Sequence, residues 1–169
     1  AGQIVAGNYT AGVPFVGYEA YLTQIGLDGN GVIWAVNDTG VDWDHPDLAT
    51  RISGGYNFPG ACNEAGQPGE DCAGGGHGTH VGGTIAGDAT PNLTDTTGYL
   101  WGLGVAPGAN LFAMNILSGS SFPPAGGFQE YSRQAVIGNA IGVNNSWFSD
   151  SSTASTYQAG ERTHDLMEI

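Results

Sequence analysis

The sequence predicts a three-layer α/β fold, a mostly parallel sheet with helices on both faces, and three observations carry that expectation. Apolar, β-branched runs of strand length alternate along the chain with segments of helical spacing, the pattern of strand-helix-strand crossovers. Those runs lack the polar alternation of a half-exposed strand, so both faces of the sheet must be covered. Finally, 30 of the 169 residues are Gly alongside 40% hydrophobic residues, over twice the ordinary glycine share of about 7% and without the triplet period of collagen. Glycine here serves backbone geometry in one packed domain, residues 1–169.

Each element follows from local pattern. Val16 to Ile25 has helical spacing at Tyr18, Tyr21, Leu22 and Ile25, and Asp28-Gly29-Asn30-Gly31 stops it. The continuous run Gly31 to Asn37 reads as a buried strand ending at Asp38-Thr39-Gly40. Arg51 to Gly76 is turn-rich with no sustained period and reads as an excursion outside the sheet. Gly78 to Ala89 carries Val81, Ile85 and Ala86 at helical spacing, with Gly82, Gly83 and Gly87 allowing close approach. Each Gly opposes that helix by up to about 1 kcal/mol, so packing must compensate. Beyond the Pro107-Gly108 turn, Asn110 to Leu117 is the next strand. Gln129 to Ile141 forms an amphipathic helix with Tyr131, Ala135, Val136 and Ile137 inward, and Gly142 to Trp147 another strand. Ser155-Thr156-Tyr157-Gln158 is a capping box opening a last helix towards Met167.

Composition excludes whole classes of partner. Three Arg, no Lys and 16 acidic residues give a net charge of −13, which rules against nucleic acid or an anionic membrane. No apolar run reaches the roughly 20 residues of a membrane span. The carboxylates suit a secreted, acidic surface and offer oxygen ligands for a hard cation such as calcium. Cys62 and Cys72, in a Gly/Pro-rich stretch, are expected to form a disulfide in an oxidising compartment. The alternative, two thiolate metal ligands, falls two short of a structural zinc site.

Two features carry chemistry. Asp38 ends a buried strand before a sharp turn, where a carboxylate can be held out of bulk water and still accept hydrogen bonds. Gly74-Gly75-Gly76-His77-Gly78-Thr79-His80 places His77 at the start of a small-residue helix, with His80 one turn later. In doubly covered parallel sheets, sites lie beyond the carboxyl ends of the strands. A metal bound by both imidazoles would have a thin ligand set; a general base oriented by a carboxylate needs only His77 and Asp38.

The order Val36-Asn37-Asp38-Thr39-Gly40-Val41-Asp42, His45-Pro46-Asp47-Leu48, Gly76-His77-Gly78-Thr79-His80-Val81, Gly104-Val105-Ala106-Pro107-Gly108-Ala109 and Asn145-Ser146-Trp147 resembles the subtilisin-like serine endopeptidases. The resemblance implies a subtilisin-like fold, incomplete at its C-terminal side, and an Asp-His-Ser triad with Asp38 as carboxylate and His77 as general base. It implies that Ser146, Trp147 and Phe148 form the segment that pairs with a protein or peptide substrate, with Gly126 and Gly127 matching the opposing strand. It also implies that Asp47 ligates structural calcium.

The chain departs from the family pattern at several points. No Gly-Thr-Ser nucleophile segment occurs, so the serine and the oxyanion asparagine are expected on a C-terminal portion or a second chain, and these 169 residues alone are expected to be almost inert. Phe148 stands where Gly is usual, and Asn37 where an apolar residue commonly precedes the aspartate. A non-catalytic scaffold module would have no chemical need of Asp38 together with His77. An aspartic half-site at Asp38-Thr39-Gly40 would require a second, symmetric carboxylate and would leave His77 without a role.

Overall fold

A computed structural model describes residues 2–117 and 128–147. Gly126, Gly127, Phe148 and the helix expected from Ser155 lie outside the described residues. The chain opens with a short helix α1 (Gly2–Val5), an antiparallel hairpin of β1 (Tyr9–Thr10) and β2 (Val13–Pro14), and helix α2 (Tyr18–Ile25). Strands β3 (Ile33–Asp38) and β4 (Ile52–Asn57), helix α3 (His77–Ala86), strand β5 (Asn110–Asn115), helix α4 (Phe128–Ile137) and strand β6 (Gly142–Asn144) follow. Four strands form one sheet in the order β4-β5-β3-β6, and every pairing in it is parallel.

The unbroken apolar character of β3 has a direct cause: alternate residues enter two different cores. Ala35 joins Phe58, Phe112, Met114, Tyr131 and Ala135 on the α4 side. Val36 joins Val41, Leu48, Ala86, Leu111 and Ala113 on the α3 side. Each fully buried Val, Leu or Met contributes roughly 1.5–3 kcal/mol. Among the described residues no helix is long and apolar enough to cross a membrane.

Several expectations need correction. Residues 52–57 are not outside the sheet but form its β4 edge, paired with β5. Gly54 and Gly55 erase the side-chain alternation by which a strand is read, and a bulge lies between Ile52 and Gly54. Glycine is required there because a Cβ on Gly55 would collide with the carbonyl oxygens of Pro68 and Ala113. On α4, Val136 and Ile137 are exposed, while Tyr131, Gln134 and Ala135 face inward. Positions 131, 134, 135 and 138 make one stripe at 3.6-residue period, and Gly138 lies directly on the Phe112 ring.

In α2, Ile25 is exposed and the anchor is Tyr18, whose hydroxyl donates to Val105 O at 2.5 Å. In α3 the close-packed glycines are Gly78 and Gly82; Gly83 has open space around it. The last strand is shorter than expected, its ladder ending at Asn144.

Candidate active site

Asp38 is the last residue of the central strand, level with Asn115 on β5, and it is fully buried. Its Oδ1 accepts the Thr39 N–H at 2.7 Å and lies 2.7 Å from Nδ1 of His77. The His77 side chain is 52% exposed, and its Nε2 has no partner among the described residues. With Nδ1–H donating to the carboxylate, Nε2 presents its lone pair to solvent, the arrangement of a general base awaiting a proton.

The local sequence makes this meeting possible. Gly40 turns the chain at φ 104°, and a Cβ there would strike the Glu70 carbonyl. Gly76 stands before α3 at φ 69°, a conformation that favours glycine. Gly78 sits so close that a Cβ would collide with Gly40 O, and its N–H donates to Thr39 Oγ1 at 3.0 Å. The start of α3 is therefore seated against the turn that follows Asp38.

A second set of bonds, not anticipated from sequence, fixes the same helix end. Asp71 Oδ2 accepts the Gly76 N–H at 2.6 Å and the Thr79 hydroxyl at 3.4 Å, while Thr79 Oγ1 accepts the Asp42 N–H at 2.9 Å. Asp71 stands five residues before the N-cap Gly76, which has no side-chain cap of its own, so no local capping pattern in the sequence announces this bond. Cys72, its neighbour, forms a disulfide with Cys62, with Cα atoms 5.9 Å apart. Asn115 Nδ2 donates to Cys62 Sγ at 3.2 Å and to Glu70 O at 2.7 Å. Burial pushes the Glu70 carboxyl above its ordinary range, opposed by a hydrogen bond from the Trp43 N–H.

The structure brings Asp38 and His77 together, and places Ser146 and Trp147 just past the strand beside Asp38. Ser146 Oγ donates to Asn144 Oδ1 at 2.8 Å rather than to His77. The Trp147 indole donates to Asn37 O at 2.8 Å and stands edge-on to Tyr131. Asp47 lines a cavity of about 480 Å³ with His45, Gly76, Thr79 and His80, and its Oδ1 is buried without a hydrogen bond. Among the described residues no three His, Cys, Asp or Glu side chains form a metal-sized group.

A buried strand-end aspartate paired with a helix-start histidine, on a parallel sheet with helices on both faces, is the framework of one class of hydrolase. The model of the subtilase family matches residues 29–166, and the chain belongs to that family. It is 47% identical over 90 residues to an intracellular serine protease of Paenibacillus polymyxa, covering 53% of this chain and 24% of that one. It is 40% identical over 118 residues to subtilisin E of Bacillus subtilis, covering 67% and 26% respectively. Among solved structures it resembles fervidolysin of Fervidobacterium pennivorans, a keratinolytic enzyme related to subtilisin, with TM-score 0.55 and 32% identity over 78% of this chain and 19% of that one. The chain thus spans about a quarter of the curated relatives it matches.

Proposed function

We propose that this chain supplies the acid-base half of a secreted serine endopeptidase, with the serine nucleophile carried by sequence outside these 169 residues, on a C-terminal continuation or a second chain. The observation that carries the reading is the 2.7 Å contact between buried Asp38 and half-exposed His77. In the proposed reaction His77 Nε2 takes the proton of the serine hydroxyl as the oxygen attacks the peptide carbonyl. Asp38 holds the ring in the required tautomer and stabilises the imidazolium, which then protonates the leaving amine. Water, activated by the same nitrogen, releases the acyl group.

Ser146, Trp147 and Phe148 are proposed to line the substrate, with Gly126 and Gly127 on the opposing strand. The coverage of about a quarter of the relatives, and the lack of a Gly-Thr-Ser segment, support a nucleophile elsewhere. The disulfide and the net charge of −13 support an extracellular setting, although relatives include a protease named intracellular. Calcium is proposed at the orphan Asp47 Oδ1. The test is hydrolysis of denatured casein by the full-length protein. Cleavage that vanishes in both Asp38→Asn and His77→Ala supports the proposal; cleavage by His77→Ala at the wild-type rate refutes it.

A further inference from the structure

The ladder between β3 and β6 stops at Val36 and Asn144, yet residues 145–147 stay fastened to β3. Among the described residues two side-chain hydrogen bonds do this, and both end on one residue. Asn37 Nδ2 donates to Asn145 Oδ1 at 2.8 Å, and Trp147 Nε1–H donates to Asn37 O at 2.8 Å. Asn37 is fully buried and directly precedes Asp38. A buried amide carries a desolvation cost that an apolar residue would not, and its Oδ1 has no hydrogen-bond partner among the described residues. Filling space does not explain an asparagine here; the bond to Asn145 does.

We propose that Asn37 is a positioning residue that fixes residues 145–147 in register with Asp38 and His77. The claim rests on the reading of Ser146, Trp147 and Phe148 as the substrate-pairing segment, with Asn145 as its anchor on the strand side. The carbonyl that receives the Trp147 indole belongs to the peptide unit joining Asn37 to Asp38, and that unit is planar and stiff. One side of it grips the segment, while the residue on its other side holds His77. The distance from substrate backbone to general base is therefore set through a single rigid link, and Asn145 secures the near end of the segment. Loosening that end leaves the Asp38–His77 contact intact, so it acts on substrate binding rather than on proton transfer.

Asn145 is exposed, so its variants test the idea with little risk to folding. In the full-length protein, titrated for active sites, Asn145→Leu is expected to raise KM for an extended peptide about fivefold, the worth of one net hydrogen bond. Its kcat should stay within about twofold. Asn145→Asp keeps the acceptor and should remain within about twofold of wild type in both constants. Hydrogen exchange of the Trp147 indole, assigned with Trp147→Phe, should quicken in Asn145→Leu and Asn37→Leu. Unchanged KM and exchange in Asn145→Leu, or equal impairment by Asn145→Asp, overturns the inference. If the wild-type protein cleaves no peptide, the protease reading has failed, and indole exchange alone decides whether Asn37 fastens the segment.

Discussion

The two faces of the sheet are built by different means. On the α3 side the helix comes in close because of glycine: Gly78 lies on the Gly40 carbonyl, Gly82 lets the Leu111, Leu48 and Val41 side chains in against the helix, and a polar mesh of Thr39, Asp71 and Thr79 pins the helix start. On the α4 side, large side chains do the packing, with Tyr131 and Phe112 filling the space and Val136, Ile137 and Ile141 left exposed. Aromatic packing tolerates small shifts, whereas a glycine seated on a carbonyl does not. The residues proposed for proton transfer, Asp38 and His77, lie on the glycine-packed face.

The sharpest break between the faces should come from the site itself. His77→Ala and Asp38→Asn in the full-length protein should lower kcat by on the order of 10⁴ or more, a size known for triad members of subtilisin itself. Their melting temperatures should change little. Next in size is Tyr131→Ala, expected to cost about 3–5 kcal/mol in urea unfolding through the cavity left among Phe112, Ala35 and Trp147. Cavity loss of that size on the α3 side would blur the distinction.

Glycine substitutions test the α3 face from within. Gly78→Ala should cost about 1–3 kcal/mol, because its new Cβ must displace main chain. Gly83→Ala, five residues on with open space around it, should stabilise by about 1 kcal/mol. Equal effects would mean that backbone contact is not what orders this helix. Replacing both Cys62 and Cys72 by Ser should cost about 3 kcal/mol by loop-closure entropy.

The smallest effects are pH-dependent and belong to α4. Hydrogen bonds from Arg133, then Gln134, hold the Glu130 carboxyl down at about 2. The stability it adds is present above its ordinary 4.5 and lost as pH falls through about 2. Burial pushes the Tyr131 hydroxyl up to about 12, so its contribution is whole below 10 and lost as pH rises through about 12. Thermal melts should show Glu130→Gln flattening the acid limb and Tyr131→Phe the alkaline one.

Legibility in the sequence followed the same division. Asp38 and His77 stood out because their spacing requirements are local: a strand end, a sharp turn, a glycine run before a helix. Strand β4 was hidden because Gly54 and Gly55 have no side chains to alternate. The inward face of α4 is masked in the sequence because Val136 and Ile137 are apolar yet lie off the stripe that meets Phe112. The link from Asn37 to Asn145 spans 108 positions, and no local pattern announces a bond between residues so far apart.

The central claim is that His77, held by Asp38, activates a serine outside this segment. Fluorophosphonate labelling of the full-length protein, with the modified peptide located by mass, tests it directly. Rapid labelling on a serine beyond residue 169, abolished in His77→Ala, is the predicted result. Label on any serine of these 169 residues, or undiminished labelling of His77→Ala, would contradict it.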